Sequence, residues 1–279
     1  MKRPSVLTIA GSDSGGGAGI QADLKAFAFL GVHGASAITA ITAQNSRAVT
    51  DVLALPAAIV EAQIDAVMGD LRPEVVKIGM LGTASLVMLV AAKLRQWKPR
   101  EVVLDPVMIA SSGARLLEDD AVDALRGELL PLATLVTPNW PEAGILLGRE
   151  LGGMDEVEAI AEGFAAIGAP RVLLKGGHLP GRMLVDMLID GPRRIEYRHL
   201  RIEEAEGHGT GCALASAVAA GLARGNTLDD AVRIATDLVH QALVDRYAVG
   251  DSKPVYLGFV AEPPEPDERK KDRPGAPRR

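Results

Sequence analysis

The chain has 279 residues, 48% of them hydrophobic, which is enough to bury the core of one large α/β domain. A formal net charge of −6 and an aromatic content of 3% argue against a surface that binds nucleic acid. The single cysteine excludes an intramolecular disulfide framework and favours a cytoplasmic location. No apolar stretch is long enough to span a membrane. With nucleic acid and membrane both disfavoured, we expect small-molecule partners.

Short aliphatic runs alternate along the chain with segments of helical period, a pattern typical of βαβ units in a mostly parallel sheet. The runs predicted as strands are 6–10, 35–39, 75–78, 102–104, 135–137 and 172–175. Helical periods lie over 60–71, 122–129 and 157–167, and Asp155 is the expected cap of the third helix. We therefore predict a doubly wound sheet with helices on both faces and no separate lid domain.

The second half of the chain adds a hairpin signal and a long helix. Asp190-Gly191 lies between two short aliphatic runs, 184–189 and 194–197, which predicts an antiparallel pair at a sheet edge. Thr227 is expected to cap a final helix whose apolar positions continue to residue 243.

The composition changes near residue 261, where prolines alternate with charges of both signs. Such a segment cannot bury enough apolar area to offset the entropy of ordering it. We predict a single domain over residues 1–260 and a disordered tail over residues 261–279.

Polar residues follow the predicted strands at their carboxyl ends, where open α/β sheets bind ligands. Residues 11–23, after the first strand, fit neither a dinucleotide fingerprint nor a Walker A loop. They form either a plain strand-to-helix turn or the wall of a substrate site that needs close backbone approach. Asp23 is either an ordinary first-turn acid, favoured by the helix dipole, or a ligand contact.

Two other strand ends carry groups suited to a flat heterocycle. The amide of Gln44 can donate and accept at once, which matches an aminopyrimidine edge with an amino donor beside a ring-nitrogen acceptor. Met80 is an apolar side chain that can cover the face of a ring. The alternatives are a loop-capping glutamine and a methionine that only packs.

Acidic and amide side chains follow two of the buried strands. Asp105, Asn139 and Glu142 together resemble a hard-cation site in which the metal is shared with water and substrate phosphates. Each of them singly also fits a helix cap. Lys175 ends another strand, where it can neutralise a nucleotide phosphate.

The segment from Gly209 to Cys212 combines glycines with a hydroxyl and a thiol just before a helix of small residues. Gly209 and Gly211 let backbone N–H groups converge, and the positive helix end adds to them, which predicts an anion hole for a phosphate. Cys212 lies in the first helical turn, where thiolate formation is favoured, so its pKa is expected to be low. The alternative is a tight loop before a core helix with an inert cysteine.

Seven of these stretches, in this order, resemble the hydroxymethylpyrimidine/phosphomethylpyrimidine kinase family of thiamin biosynthesis, a branch of the ribokinase-like fold. They are residues 9–25, 42–45, 77–81, 104–108, 137–139, 175–178 and 208–212. An ordered set is far more specific than any one motif. The resemblance implies a three-layer sandwich and an ATP- and Mg²⁺-dependent kinase that phosphorylates 4-amino-5-hydroxymethyl-2-methylpyrimidine and then its monophosphate.

Position by position, the resemblance also implies roles for individual residues. The pyrimidine is expected to lie against Gly11, Asp23, Gln44, Met80 and Val107. ATP is expected to lie against Asp105, Asn139, Lys175 and Thr210, and Mg²⁺ against Asp105 and Glu142. The catalytic group is expected to be Lys175, Gly209, Thr210, Gly211 and Cys212, with the Cys212 thiolate where many relatives of the wider fold carry an aspartate base. A homodimer is expected.

The chain departs from the family pattern in two places. Gly207 replaces the usual threonine before the histidine of the anion-hole motif, and residues 250–256 replace a glycine-histidine-glycine-proline-like stretch. A pyridoxal or pyridoxine kinase of the same superfamily is the nearest alternative function. A non-catalytic small-molecule binding module on the same fold is the other.

Overall fold

The structure is a computed structural model that describes residues 3–108, 116–169, 171–202, 208–253 and 256–259. The strands are β1 (Ser5–Asp13), β2 (His33–Gln44), β3 (Val49–Ala54), β4 (Val75–Ile78), β5 (Glu101–Leu104), β6 (Leu135–Val136), β7 (Arg171–Leu174), β8 (Met183–Asp190) and β9 (Arg193–Leu200). The helices are α1 (Gly19–Phe29), α2 (Ala57–Asp70), α3 (Ala84–Trp97), α4 (Asp119–Ala124), α5 (Trp140–Leu147), α6 (Val157–Ala166), α7 (Thr210–Ala223) and α8 (Leu228–Val244).

All nine described strands belong to one sheet, in the order β3-β2-β1-β4-β5-β6-β7-β8-β9. The six central strands are parallel, whereas β3 pairs antiparallel with β2 at one edge and β8 and β9 pair antiparallel at the other. The strand order reverses between β1 and β4, which places a crevice at the carboxyl ends of these two strands. The predicted doubly wound, mostly parallel fold is confirmed.

Two apolar layers cover the sheet. On one face α2, α3, α4, α5 and α6 pack onto the strands through fully buried aliphatic residues such as Ile64 and Val90. On the other face α1, α7 and α8 do the same, and α7 is buried almost all round because it is built of small residues. Helix α7 therefore lies close against the sheet, and its N-terminus reaches the carboxyl ends of the central strands.

Most predicted elements are confirmed, including the hairpin β8–β9 and the cap of α8, where Thr227 Oγ1 accepts a hydrogen bond from the Asp230 N–H at 3.2 Å. The predicted cap of α6 is wrong, because Asp155 lies in a 3-10 turn and the residue that precedes the helix is Glu156. Strand β3 was not predicted.

None of the helices in the described ranges combines the length and the apolarity needed to cross a bilayer. The predicted tail, 261–279, and Gly207 lie outside the described residues.

Candidate active site

The residues with predicted roles converge at the carboxyl edge of the sheet. Gly211 provides the clearest evidence, because a Cβ built on it would lie 3.3 Å from Lys175 Nζ and 3.7 Å from Asp105 Oδ2. These three residues come from the start of α7, the end of β7 and the end of β5. The N-terminus of α7 thus faces a partly buried lysine and a buried carboxylate, and a side chain at Gly211 would crowd the lysine.

Lys175 is the centre of an ionic cluster at this edge. Its Nζ donates to Asp105 Oδ1 at 2.8 Å and lies 3.6 Å from Glu142 Oε2. Thr137 Oγ1 also donates to Asp105 Oδ1, at 3.1 Å. Burial alone would lower the pKa of Lys175, but the carboxylates of Asp105 and Glu142 outweigh it and raise that pKa. Lys175 therefore remains a cation.

Asn139 and Glu142 form a reciprocal cap at the start of α5. Asn139 Oδ1 accepts from the Glu142 N–H at 2.9 Å, and Glu142 Oε2 accepts from the Asn139 N–H at 2.8 Å. The helix-cap alternative therefore holds for both residues. Glu142 still faces Lys175, and burial raises the pKa of Glu142 although the Lys175 charge opposes this.

The carboxylates fit a magnesium ion of the kind that binds together with its substrate. Mg²⁺ usually takes one or two protein carboxylates and completes its shell with water and phosphate oxygens. Asp105 and Glu142 supply two carboxylates around one lysine. No group of three or more histidine, cysteine or acidic side chains suited to a metal occurs within the part of the chain that the structure describes. A cation here would therefore need ligands from water and from a bound phosphate.

The glycines of the anion-hole motif have different reasons to be glycine. Gly209 precedes α7 with φ +82°, and a Cβ there would overlap the Gly17 carbonyl. Gly211 has an ordinary helical backbone but lies against Lys175 and Asp105, where a side chain would crowd the Lys175 ammonium. The start of α7 therefore lies beside a lysine, which is compatible with the predicted anion hole.

The low pKa expected for Cys212 is wrong. Although its side chain keeps some exposure, burial raises the pKa of Cys212 to about 11. The Lys77 charge and the Gly19 N–H oppose this rise, whereas the charges of Asp23 and Asp105 add to it. The helix N-terminus alone does not decide the ionisation of a thiol that is enclosed among carboxylates.

Asp13, to which the sequence pattern assigns no role, organises the loop after β1. Its carboxylate accepts hydrogen bonds from the N–H groups of Gly15, Gly17 and Ala18 at 2.8, 2.9 and 2.8 Å. His208 Nε2 lies 3.0 Å from Asp13 Oδ2. Burial alone would raise the pKa of Asp13, but these hydrogen bonds hold it below its ordinary value. An aspartate followed by a run of glycines is a signal that can be found in sequence.

Three of the residues expected to contact the ring, Gly11, Gln44 and Met80, lie at or just after the ends of β1, β2 and β4. A Cβ on Gly11 would lie 2.5 Å from Met80 Cε, so Gly11 provides the space that the Met80 side chain occupies. The Gln44 amide lies near Thr42 Oγ1 and His208 Nε2, at 3.1 and 3.3 Å. Val107 follows β5 and is partly buried.

The expectation that Asp23 contacts the ring is wrong. Its side chain is 0% exposed, and Lys77 Nζ donates to both of its oxygens at 3.0 Å. Thr8 and Ser216 hydroxyls also donate to it, at 2.6 and 2.7 Å. Lys77 is itself fully buried and holds this carboxylate, and the Asp23 charge raises the pKa of Lys77 against the opposing effect of burial. Asp23 is therefore part of a fully buried ion pair.

Comparisons with known proteins agree with this geometry. A family model described as phosphomethylpyrimidine kinase matches residues 13–256. A Rhizobium meliloti hydroxymethylpyrimidine/phosphomethylpyrimidine kinase is 52% identical over 251 residues, which are 88% of this chain and 94% of that protein.

Two solved structures resemble the fold closely. The phosphomethylpyrimidine kinase of Clostridium difficile is 40% identical with a TM-score of 0.77, covering 86% of this chain and 100% of that chain. The ADP complex of Bacillus subtilis pyridoxal kinase is 35% identical with a TM-score of 0.82, covering 89% and 94%. With the family model, the relative and the convergent strand ends all in agreement, the chain belongs to the phosphomethylpyrimidine kinase family.

Proposed function

We propose that the protein transfers the γ-phosphoryl group of ATP to 4-amino-5-hydroxymethyl-2-methylpyrimidine and then to the resulting monophosphate, as a step of thiamin biosynthesis. One observation carries the proposal: a Cβ built on Gly211, at the start of α7, would lie 3.3 Å from the Lys175 ammonium. Gln44 ends β2 at the same carboxyl edge of the sheet. A site of this kind places an anion hole, a cation and an amide along one crevice. It suits phosphoryl transfer to a polar heterocycle, because that reaction depends mainly on positioning and charge stabilisation.

At the phosphate end each group has a defined task. Lys175 neutralises the transferred phosphate, and the N–H groups at the start of α7 bind its oxygens. Asn139 and Thr210 lie toward the nucleotide. Asp105 and Glu142 would hold Mg²⁺, which would neutralise phosphate charge when bound.

Cys212 is the group proposed to take the proton from the substrate hydroxyl. A thiol with a pKa of about 11 is ionised only to roughly one part in 10⁴ at pH 7. Since its thiolate fraction grows as pH rises toward that pKa, we expect kcat to increase between pH 7 and pH 9. The rate of alkylation of Cys212 by iodoacetamide is expected to increase in parallel, and bound pyrimidine should protect the thiol.

The alanine variant separates the base role from the anion hole. Cys212→Ala is expected to lower kcat by about 10²–10⁴-fold and to abolish its rise with pH. Cys212→Asp supplies a carboxylate base in place of the thiol and should keep more of the activity than Cys212→Ala does. Near-normal turnover of the alanine variant would refute the base role, but it would leave the anion hole intact because that depends on backbone amides.

At the ring end, Gln44 is proposed to pair with the amino group and the ring nitrogen. Gln44→Leu leaves this polar edge unsatisfied and is expected to cost about 1–3 kcal/mol of pyrimidine binding. Calorimetric titration should show this loss for the pyrimidine and an unchanged affinity for ATP. Equal weakening of both ligands, or of neither, would show that Gln44 is only a loop cap.

Pyridoxal is the second candidate acceptor, because the structural match to a pyridoxal kinase has a TM-score of 0.82. The test is ADP release with the hydroxymethylpyrimidine, its monophosphate, pyridoxal and pyridoxine, each at several concentrations. We expect the highest kcat/KM for the two pyrimidines. A higher kcat/KM for pyridoxal would replace the proposed substrate with the alternative.

A homodimer is proposed from the edge formed by β2 and β3. Ile41 and Leu53 are paired across these strands and are 42% and 65% exposed. An exposed apolar edge strand favours pairing with another chain. We expect a dimer by light scattering after gel filtration, and Leu53→Asp should shift it toward the monomer. A monomeric mass for the unaltered chain would contradict this proposal.

A cytoplasmic location is proposed because the single cysteine, Cys212, suits a reducing compartment, where ATP is also supplied. Cell fractionation with an antibody to the protein should place it with cytoplasmic markers. Recovery with exported proteins would contradict the proposal.

A further inference from the structure

Three polar side chains meet beside the proposed ring position: Asp13 from the end of β1, Gln44 from the end of β2, and His208 from the loop before α7. His208 Nε2 lies 3.0 Å from Asp13 Oδ2 and 3.3 Å from the terminal amide of Gln44. The other end of that amide lies 3.1 Å from Thr42 Oγ1. Neither His208 nor Asp13 takes part in the proposed phosphoryl transfer.

The proton on His208 is fixed by Asp13. The Asp13 carboxylate already accepts from the N–H groups of Gly15, Gly17 and Ala18, the pattern of an ionised acceptor with no proton to give. His208 Nε2, at 3.0 Å, must therefore carry the hydrogen and donate it. The Gln44 amide lies 3.3 Å from the same Nε2, which then has no lone pair to accept with, so the amide fits there only as a second, longer acceptor of the shared hydrogen.

Thr42, at the other end of the Gln44 amide, favours the same direction of that amide as His208 does. Its single hydroxyl proton lies between the Ser12 carbonyl at 2.8 Å and Gln44 Oε1 at 3.1 Å, and the shorter contact to Ser12 leaves Thr42 Oγ1 with only lone pairs for the amide. A half-turn of the amide exchanges its oxygen and nitrogen without moving other atoms, and the hydrogen bonds decide between the two directions. The structure places Gln44 Nε2 toward His208 and Oε1 toward Thr42. Both partners favour the half-turned amide, with the Gln44 carbonyl toward His208 and its NH₂ group toward Thr42.

The histidine is also held in place sterically. A Cβ on Gly17 would overlap the His208 ring, so the ring lies directly on the glycine backbone. The side chain of His208 is only 10% exposed, and that of Asp13 is 2% exposed. The donor that faces Gln44 is therefore part of a closed, buried network.

A fixed amide recognises only one order of donor and acceptor. The flanks of the amide are bound by His208 and Thr42, which leaves one carbonyl lone pair and one N–H on its outer edge. An amino group beside a ring nitrogen matches that edge. An oxo group beside a ring N–H matches only the other direction of the amide, with NH₂ toward His208. In that direction the NH₂ group would face the His208 N–H, and the Gln44 carbonyl would face the lone pairs of Thr42 Oγ1.

We propose that His208, held by Asp13, is a specificity-determining positioning residue that fixes the direction of the Gln44 amide, so that the site selects an amino ring edge over an oxo edge. This rests on the proposed function, in which Gln44 pairs with the ring. His208 acts through Gln44 and touches no reacting atom.

The test compares kcat/KM for the 4-amino substrate with that for its 4-oxo analogue of the same ring. His208→Leu removes the donor, and we expect the amino-to-oxo ratio to fall about tenfold or more with an unchanged KM for ATP. Thr42→Val removes the second anchor with little change of shape and should lower the same ratio. His208→Gln keeps an N–H donor and should restore most of the preference. The exposed His33, changed to Leu, is the matched control.

An amino-to-oxo ratio that stays at the wild-type value in both His208→Leu and Thr42→Val would overturn the inference, even if both variants are slow. If His208→Leu does not fold, the ratio measured for Thr42→Val decides alone. A wild-type protein that phosphorylates neither ring would overturn the proposed function and this inference with it. A wild-type protein that phosphorylates the amino ring while the variants keep its preference overturns the inference only.

Discussion

Replacing Gly211 by valine is expected to lower kcat/KM by about 10³-fold or more while the protein stays folded. The backbone of Gly211 is helical, so a side chain introduces no strain there. A Cβ, however, would lie 3.3 Å from Lys175 Nζ, and the methyl groups of valine reach further into the space of the transferred phosphate. Steady-state kinetics with ATP and the pyrimidine, with circular dichroism for the fold, measure the effect.

The matched control for this variant is Gly127→Val. Gly127 is exposed, and no described atom lies within 4 Å of a Cβ built on it. Gly211→Ala is expected to fall between the wild type and the valine variant, because its single methyl group reaches only as far as the 3.3 Å contact with Lys175 Nζ. If Gly211→Val retains wild-type kcat/KM, the phosphate does not lie at the start of α7.

Replacing Lys77 by methionine is expected to lower the free energy of unfolding by about 3–5 kcal/mol. Both partners of the Lys77–Asp23 pair are 0% exposed, so the variant leaves a carboxylate buried without its cation. Thr8 and Ser216 would remain as its hydrogen-bond donors. Urea unfolding followed by fluorescence or circular dichroism gives the difference.

A double variant shows whether the lost charge balance is the cause. Asp23→Asn added to Lys77→Met removes the second charge and should regain most of the lost stability. Lys98→Met, at an exposed position, is the control and should unfold at nearly the wild-type urea concentration. A Lys77→Met protein as stable as the wild type would show that the Lys77–Asp23 pair does not stabilise the fold.

The sequence predicted the central sheet well, for a reason visible in β4. Val75–Ile78 is buried at every position, so its aliphatic run is continuous and its limits are sharp. Strand β3 has the opposite character: five of its six residues are exposed, and only its pairing with β2 makes it a strand. The cap expected at Asp155 failed because a 3-10 turn precedes α6, and such a turn leaves little trace in local composition.

The site was predictable where it depends on strand ends and not where it depends on partners distant in the chain. Asp105 and Lys175 end parallel strands, so their meeting follows from the fold class. Asp13 and His208 are 195 positions apart, and only the folded chain shows that they bond. The pKa of Cys212 failed for a related reason, because the helix end is local information whereas burial among carboxylates is not.

The most direct test of the central claim is a time course of the purified protein with Mg-ATP and 4-amino-5-hydroxymethyl-2-methylpyrimidine, resolved by anion-exchange chromatography and mass spectrometry. We expect a ring monophosphate that rises first and then a ring diphosphate that replaces it, with two ADP formed for each diphosphate. ATP consumed without any phosphorylated pyrimidine, or phosphorylation of pyridoxal alone under the same conditions, would contradict it.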